Sequence, residues 1–180
     1  GMSSAQVNDR VNTAKNIVNY AIGMNNHMGS ATTADPQLMT YLMTALQEKH
    51  LFFLDSRTTG KSVAGKIAKE QGVRSLDRHI FLDDSNELAN VQHQFQAAIQ
   101  YARKHGTAIV IGHPRPNTIA VLQAGINNLP EDIQLVGMGN LWRNEKVIPP
   151  KPFILLFTEM PAPTSMEPFE PVGLLRGIPK

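Results

Sequence analysis

The chain has 180 residues, with 17 Lys or Arg, 15 Asp or Glu, a net charge of +2 and no Cys. This length fits one domain able to bury roughly 70% of its unfolded surface without staples, and an apolar fraction of 42% is too high for a disordered chain. The slight charge, without a dense Lys/Arg run, argues against nucleic acid as a partner, zero Cys excludes disulfides, thiolate catalysis and Cys-ligated zinc, and the longest apolar run, residues 153–157, is far short of the ~20 residues of a membrane span.

Residues 4–18 are amphipathic and mixed in charge, which is not the pattern of a secretion signal. Residues 20–24 form a short apolar run that predicts a strand, leading into Asn25-Asn26-His27-Met28-Gly29-Ser30. Asp35-Pro36 predicts a helix start, with Asp35 as N-cap and Pro36 at the first helical position. Leu38, Leu42 and Leu46, with Met39 and Met43, mark its buried stripe. A strand over 51–54 runs into Asp55-Ser56-Arg57-Thr58, and a helix over about 61–71 stops at Gly72. A strand over 80–82 runs into Asp83-Asp84-Ser85, and a long helix over about 86–104 stops at Gly106. A strand over 108–111 runs into Gly112-His113-Pro114. Pro116 opens a helix that closes near Pro130, and 133–136 reads as the last strand. Five strands alternating with helices predict an α/β domain with a parallel sheet over residues 4–145. Eight of the 12 Pro fall in 149–180, so 146–180 reads as a Pro-rich extended tail, with 153–157 as an edge strand or docking segment.

Each of the first four predicted strands ends in chemically capable polar residues. In parallel sheets and barrels the strand C-termini share one face, where sites are built. His27 in its Asn-Asn-His-Met-Gly-Ser turn is a candidate metal ligand or substrate contact, with Asn25 and Asn26 beside it; a turn that satisfies its own backbone is the alternative. Asp55 is a candidate base or ligand and Arg57 an anion or carboxylate partner, or else a helix-capping Asp and a surface Arg. Asp83 and Asp84 are paired carboxylates, one of which can pair with Arg57 while the other, or Ser85, caps the next helix. His113, held extended before Pro114, is a candidate general acid/base or ligand, or a structural His. Thr59-Gly60-Lys61-Ser62 is not a nucleotide loop, because Asp55 stands where that pattern needs Gly. His50, His79, His93 and His105 show no partner spacing.

The strings 23–30, 53–58, 73–84 and 108–114 together resemble the divergent polysaccharide deacetylase family, over about residues 2–142. The resemblance implies an irregular (β/α) barrel and metal-dependent removal of acetyl groups from a polysaccharide or other acetylated glycan. It implies a divalent metal, zinc first, with His27 as a ligand, and Asp55 and His113 as catalytic residues. Asn25, Asn26, Ser30, Arg57, Asp83 and Asp84 are then expected at the substrate. Where relatives carry a second metal-binding His this chain has Ala31, and the strands bearing the family's paired Asp are expected upstream of Met2. The expectations are therefore an incomplete barrel with weak or no activity, a metal that this shortened chain can lack, and self-association through an exposed sheet edge. A non-catalytic glycan- or envelope-polymer-binding protein on the same fold is the alternative. The family also implies a periplasmic or envelope location for a full-length precursor.

Overall fold

The computed structural model describes residues 1–144. The predicted tail over 146–180 and its run 153–157 lie outside the described residues.

Ser3 caps the first helix, α1 (Ser4–Ile17), through a reciprocal pair of bonds with Gln6, and Val7 and Val11 are its buried face. Strand β1 (Gly23–Asn25) follows, then a single turn, α2 (Ser30–Thr33). Helix α3 (Pro36–Glu48) begins as its sequence dictates. The Asp35 carboxylate accepts from Gln37 N at 2.9 Å and from Leu38 N at 3.0 Å. Met39, Met43 and Leu46 are fully buried, whereas Leu38 and Leu42 sit at the margin of the stripe.

Strand β2 (Phe52–Asp55) is the centre of a three-stranded parallel sheet, between β1 and β3 (Ser75–Asp77), with helix α4 (Ala64–Glu70) connecting β2 to β3. Alternation along β2 builds two cores. Phe53 points into the cluster formed with α3 and α4, including Met43, Leu46, Ile67 and Ala68. Phe52 and Leu54 belong to a second cluster, with Leu76, Ile109 and Trp142.

The chain then changes partner within two residues. Arg78 N donates to Asp55 O, and His79 N donates to Ile109 O. Strand β4 (Ile80–Phe81) pairs in parallel with β5 (Val110–Ile111) across helix α5 (Leu88–His105), which ends at Gly106 in the left-handed region (φ +80°). Helix α6 (Pro116–Ile126) packs on α5 so closely that a Cβ on Gly125 would clash with the Phe95 ring. Helix α7 (Met138–Arg143) closes the second core. Trp142 stacks on Phe52 at 5.4 Å and donates from Nε1 to Phe53 O at 3.0 Å.

Two strand expectations are corrected. Residues 133–136 form no strand; the run is short, follows Pro130, and lies along an open cavity instead of beside a pairing partner. The fifth strand is β3, whose single apolar residue, Leu76, gave no run to read. The first strand also starts later than expected, with Tyr20 exposed. The architecture is a mixed α/β domain of short parallel strands. Among the described residues β1 pairs only with β2, and β5 only with β4.

Candidate functional site

The C-terminal strand ends do gather polar groups, in two linked clusters. The first joins β1 to β2. Asn26 Oδ1 accepts from Ser56 N at 2.8 Å, and Ser56 Oγ donates to Asn26 O at 2.7 Å. Asn25 Nδ2 reaches Ser56 Oγ at 3.4 Å, and Ser30 Oγ donates to Thr58 Oγ1 at 2.9 Å. The Asn26 Nδ2 group is buried without a hydrogen-bond partner. Met28 and Arg57, in the adjoining loops, both adopt positive φ (49° and 50°) without being Gly.

Asp55 is fully buried and turned into its own loop. Its Oδ1 accepts from Arg57 N at 2.8 Å and its Oδ2 from Ser62 Oγ at 2.5 Å. The alternative raised by the sequence, an Asp capping the next helix, is corrected: Asp55 holds its own loop, and α4 starts after Val63 with no side-chain cap bond. Arg57 is exposed and pairs with Asp77 at 3.7 Å, not with Asp83 or Asp84 as expected. The reason is register: β2 pairs Asp55 with Asp77 across the sheet, which brings β3's end beside the Arg57 loop. Arg78 braces the same loop by donating to Ser56 O and Arg57 O.

The second cluster joins β4 to β5. Asp83 is buried at the end of the β4 segment, and its carboxylate accepts from His113 N at 3.1 and 3.0 Å. His113 Nδ1 lies 3.2 and 3.3 Å from the same two oxygens. Thr118 Oγ1 donates to Oδ2 at 3.3 Å, and Arg115 Nε lies 3.6 Å from it. Asp83 thus holds His113 by backbone and ring together, with Nδ1 as the donor that the carboxylate requires. The His27 ring sits edge-on to the His113 ring at 5.6 Å, bringing the two sheets' ends together. Phe81 lies 5.6 Å from His113 on another side.

Asp84 takes no part in this cluster. It is exposed, accepts from Ser85 N and Asn90 Nδ2, and is held below the usual carboxylate range, chiefly by the Asn90 bond. Asp84 and Ser85 shape the turn before α5, whose N-cap is Glu87.

His27 and His113 present imidazoles to one another, but both Asp55 oxygens are engaged, and Asp83 is committed to His113, Thr118 and Arg115. Among the described residues no three His, Cys, Asp or Glu side chains come together to hold a metal ion. The described residues therefore do not complete a metal site. No described helix is long and apolar enough to cross a membrane.

Fold and site define a parallel α/β domain with an Asp-oriented histidine among polar strand ends. The model of the divergent polysaccharide deacetylase family matches residues 1–142, and the chain belongs to that family. An uncharacterized protein of Haemophilus influenzae is 91% identical over 180 residues, covering 100% of this chain and 64% of that protein. The uncharacterized protein YibQ of Escherichia coli is 44% identical over 153 residues, covering 83% of this chain and 48% of that protein. The chain thus spans between about half and two thirds of the length of these curated relatives. The crystal structure of an uncharacterized protein from Agrobacterium tumefaciens matches with a TM-score of 0.55 at 23% identity, over 57% of this chain and 42% of that one. That likeness concerns the fold.

The sequence missed three contributors. Thr118 and Arg115 lie in or before a helix that reads as plain packing, and Trp142 lies beyond the last predicted element. Only the solitary Trp in a chain of 180 residues was a signal for the last of these.

Proposed function

We propose that a chain of the relatives' length hydrolyses acetyl groups on a polysaccharide, on an irregular (β/α) barrel, and that this domain supplies the proton-transferring side of the site. The observation that carries this reading is the buried Asp83 carboxylate holding His113 opposite His27. With Nδ1 bound to Asp83, the proton that moves is the one on Nε2. His113 gives it to the leaving nitrogen or oxygen as the bond to the acetyl carbon breaks; the attacking water adds its hydroxyl to that carbon, and its remaining proton restores His113 Nε2. Asp83 keeps the ring's tautomer and angle. The unpartnered Asn26 Nδ2 is a donor for a substrate oxygen, while Asn25 and Ser30 set its loop. Exposed Arg57 and Asp84 face solvent as glycan contacts, and Asp55 shapes the Arg57 loop. His27 would be one ligand of a divalent metal, zinc first, which would polarise the acetyl carbonyl; the described residues supply no full set of ligands for it. The periplasm or cell envelope is the matching location, on family membership.

A second reading, glycan or envelope-polymer binding without turnover, is favoured by Ala31 in place of a second His and by the engaged Asp55 oxygens. Metal content and acetate release separate the two. In a form extended to the relatives' length, the first reading expects about one metal per chain, lost in His27→Ala, and acetate release from acetylated oligosaccharides that falls about 100-fold or more in His113→Ala. Saturable glycan binding with neither metal nor acetate release selects the second.

Self-association belongs to the same proposal. The outer edge of β5 is unpaired among the described residues, and beside it runs an open, mainly apolar cavity of about 1240 Å³ between α5, α6 and residues 129–141. Such an edge next to apolar surface favours pairing with a second copy. Light scattering on the chain of 180 residues is expected to show mass rising with concentration; a constant monomer mass rejects this part.

A further inference from the structure

His79 lies outside the strand-end site, where the chain leaves β3 and enters β4. Ile109, at the start of the β5 segment, is bound to this switch by both of its backbone groups. Its N–H donates to His79 Nδ1 at 2.8 Å. Its carbonyl accepts from His79 N at 2.8 Å and from Ile80 N at 3.1 Å. Ile109 is buried in the core shared with Leu54 and Trp142, so its amide has no ready exchange for water. A neutral imidazole has one donor and one acceptor. The Ile109 bond therefore requires Nδ1 to be bare and the proton to sit on Nε2. An imidazolium has two donors and cannot accept that bond.

We propose that His79 is a proton-sensitive clasp: neutral, it fixes Ile109 and the base of β5; protonated, it releases the Ile109 amide and loosens the strand that carries His113.

The surroundings bias the clasp. Tyr101 of α5 stacks on His79 at 4.8 Å, and the His105 ring, one turn further, lies tilted against Tyr101 at 4.3 Å. The ionisable groups acting on His79 are Asp77 of β3 and His105 and Tyr101 of α5; the Arg78 guanidinium is bonded to Ser56 O and Arg57 O. Burial lowers the proton affinity of His79 below the ordinary value of 6.5; Asp77 opposes this and His105 reinforces it. The unfolded chain consequently binds the proton more readily than the folded one. The clasp's contribution is complete above the ordinary His value and is lost as pH falls below it, through the lower folded-state value.

The test is hydrogen exchange at the Ile109 amide in the full chain, corrected for intrinsic rates, between about pH 7.5 and about pH 4.5. His79→Asn supplies a non-titrating acceptor in place of Nδ1. The wild type is expected to lose protection by up to about tenfold per pH unit as pH falls from the ordinary His value to the lower folded-state value, and to level off below it. His79→Asn should stay within about threefold across the range, and His79→Ala should be weakly protected throughout. Nitrogen chemical shifts of the wild-type His79 ring test the premise even if a variant misfolds. They should report a bare Nδ1 at neutral pH. A proton on Nδ1, a flat wild-type profile, or an equal fall in wild type and His79→Asn overturns the proposal. None of these readouts depends on acetyl hydrolysis.

Discussion

Asp83→Ala is expected to destabilise the domain by about 3–5 kcal/mol, the range for removing one partner of a buried charged network. The carboxylate is buried and receives the His113 amide, the His113 ring, the Thr118 hydroxyl and the nearby Arg115 guanidinium. Alanine would leave the Thr118 hydroxyl and the His113 amide without acceptors, and buried unsatisfied donors cost about 1–3 kcal/mol each. The two carboxylate functions can be separated. Asp83→Asn keeps the shape and one acceptor but turns an N–H₂ toward donors, so about 1–3 kcal/mol is expected. Urea unfolding followed by circular dichroism measures both. A loss below about 1 kcal/mol for Asp83→Ala means that the cluster is hydrated and that Asp83 does not fix His113.

The second large effect is expected at Trp142. Trp142→Ala should cost about 3–5 kcal/mol, in the range for deleting a buried aromatic side chain. The indole stacks on Phe52, fills the space over Gly23 (a Cβ there would lie 2.7 Å from the ring) and bonds Phe53 O. Trp142→Phe keeps most of the packing and loses the Nε1 bond, so about 1 kcal/mol is expected. Since Trp142 is the chain's 1 Trp, unfolding is best followed by circular dichroism and not by fluorescence. If Trp142→Ala costs no more than Trp142→Phe, α7 does not close the second core.

What was legible in the sequence was local. Asp35-Pro36 announces α3 because one carboxylate can satisfy two orphan amides and Pro gives up none. Gly106 announces the end of α5 because the left-handed cap suits it. The convergence of His27, Asp83 and His113 follows from parallel strands sharing one C-terminal face. What was not legible depends on register and on distant partners. Arg57 meets Asp77 only because β2 pairs Asp55 with Asp77. Strand β3 exists because β2 offers it hydrogen bonds, not because Ser75-Leu76-Asp77 favours extension. His79 reads as an isolated histidine until the backbone of Ile109, 30 positions away, arrives at its ring.

The change of partner at Arg78–His79 also orders the chain in time. All pairings of the three-stranded sheet lie between Gly23 and Asp77, and the β4–β5 pairing lies wholly after them. Among the described residues, no strand of the first sheet waits for a residue beyond Asp77. During synthesis from the N-terminus, the first sheet and the core beneath α3 and α4 have all their members before α5 has been made. The later strands meet a surface already formed, and Trp142 is the last of the described core residues to be made, joining strands β1 and β2 synthesised long before it.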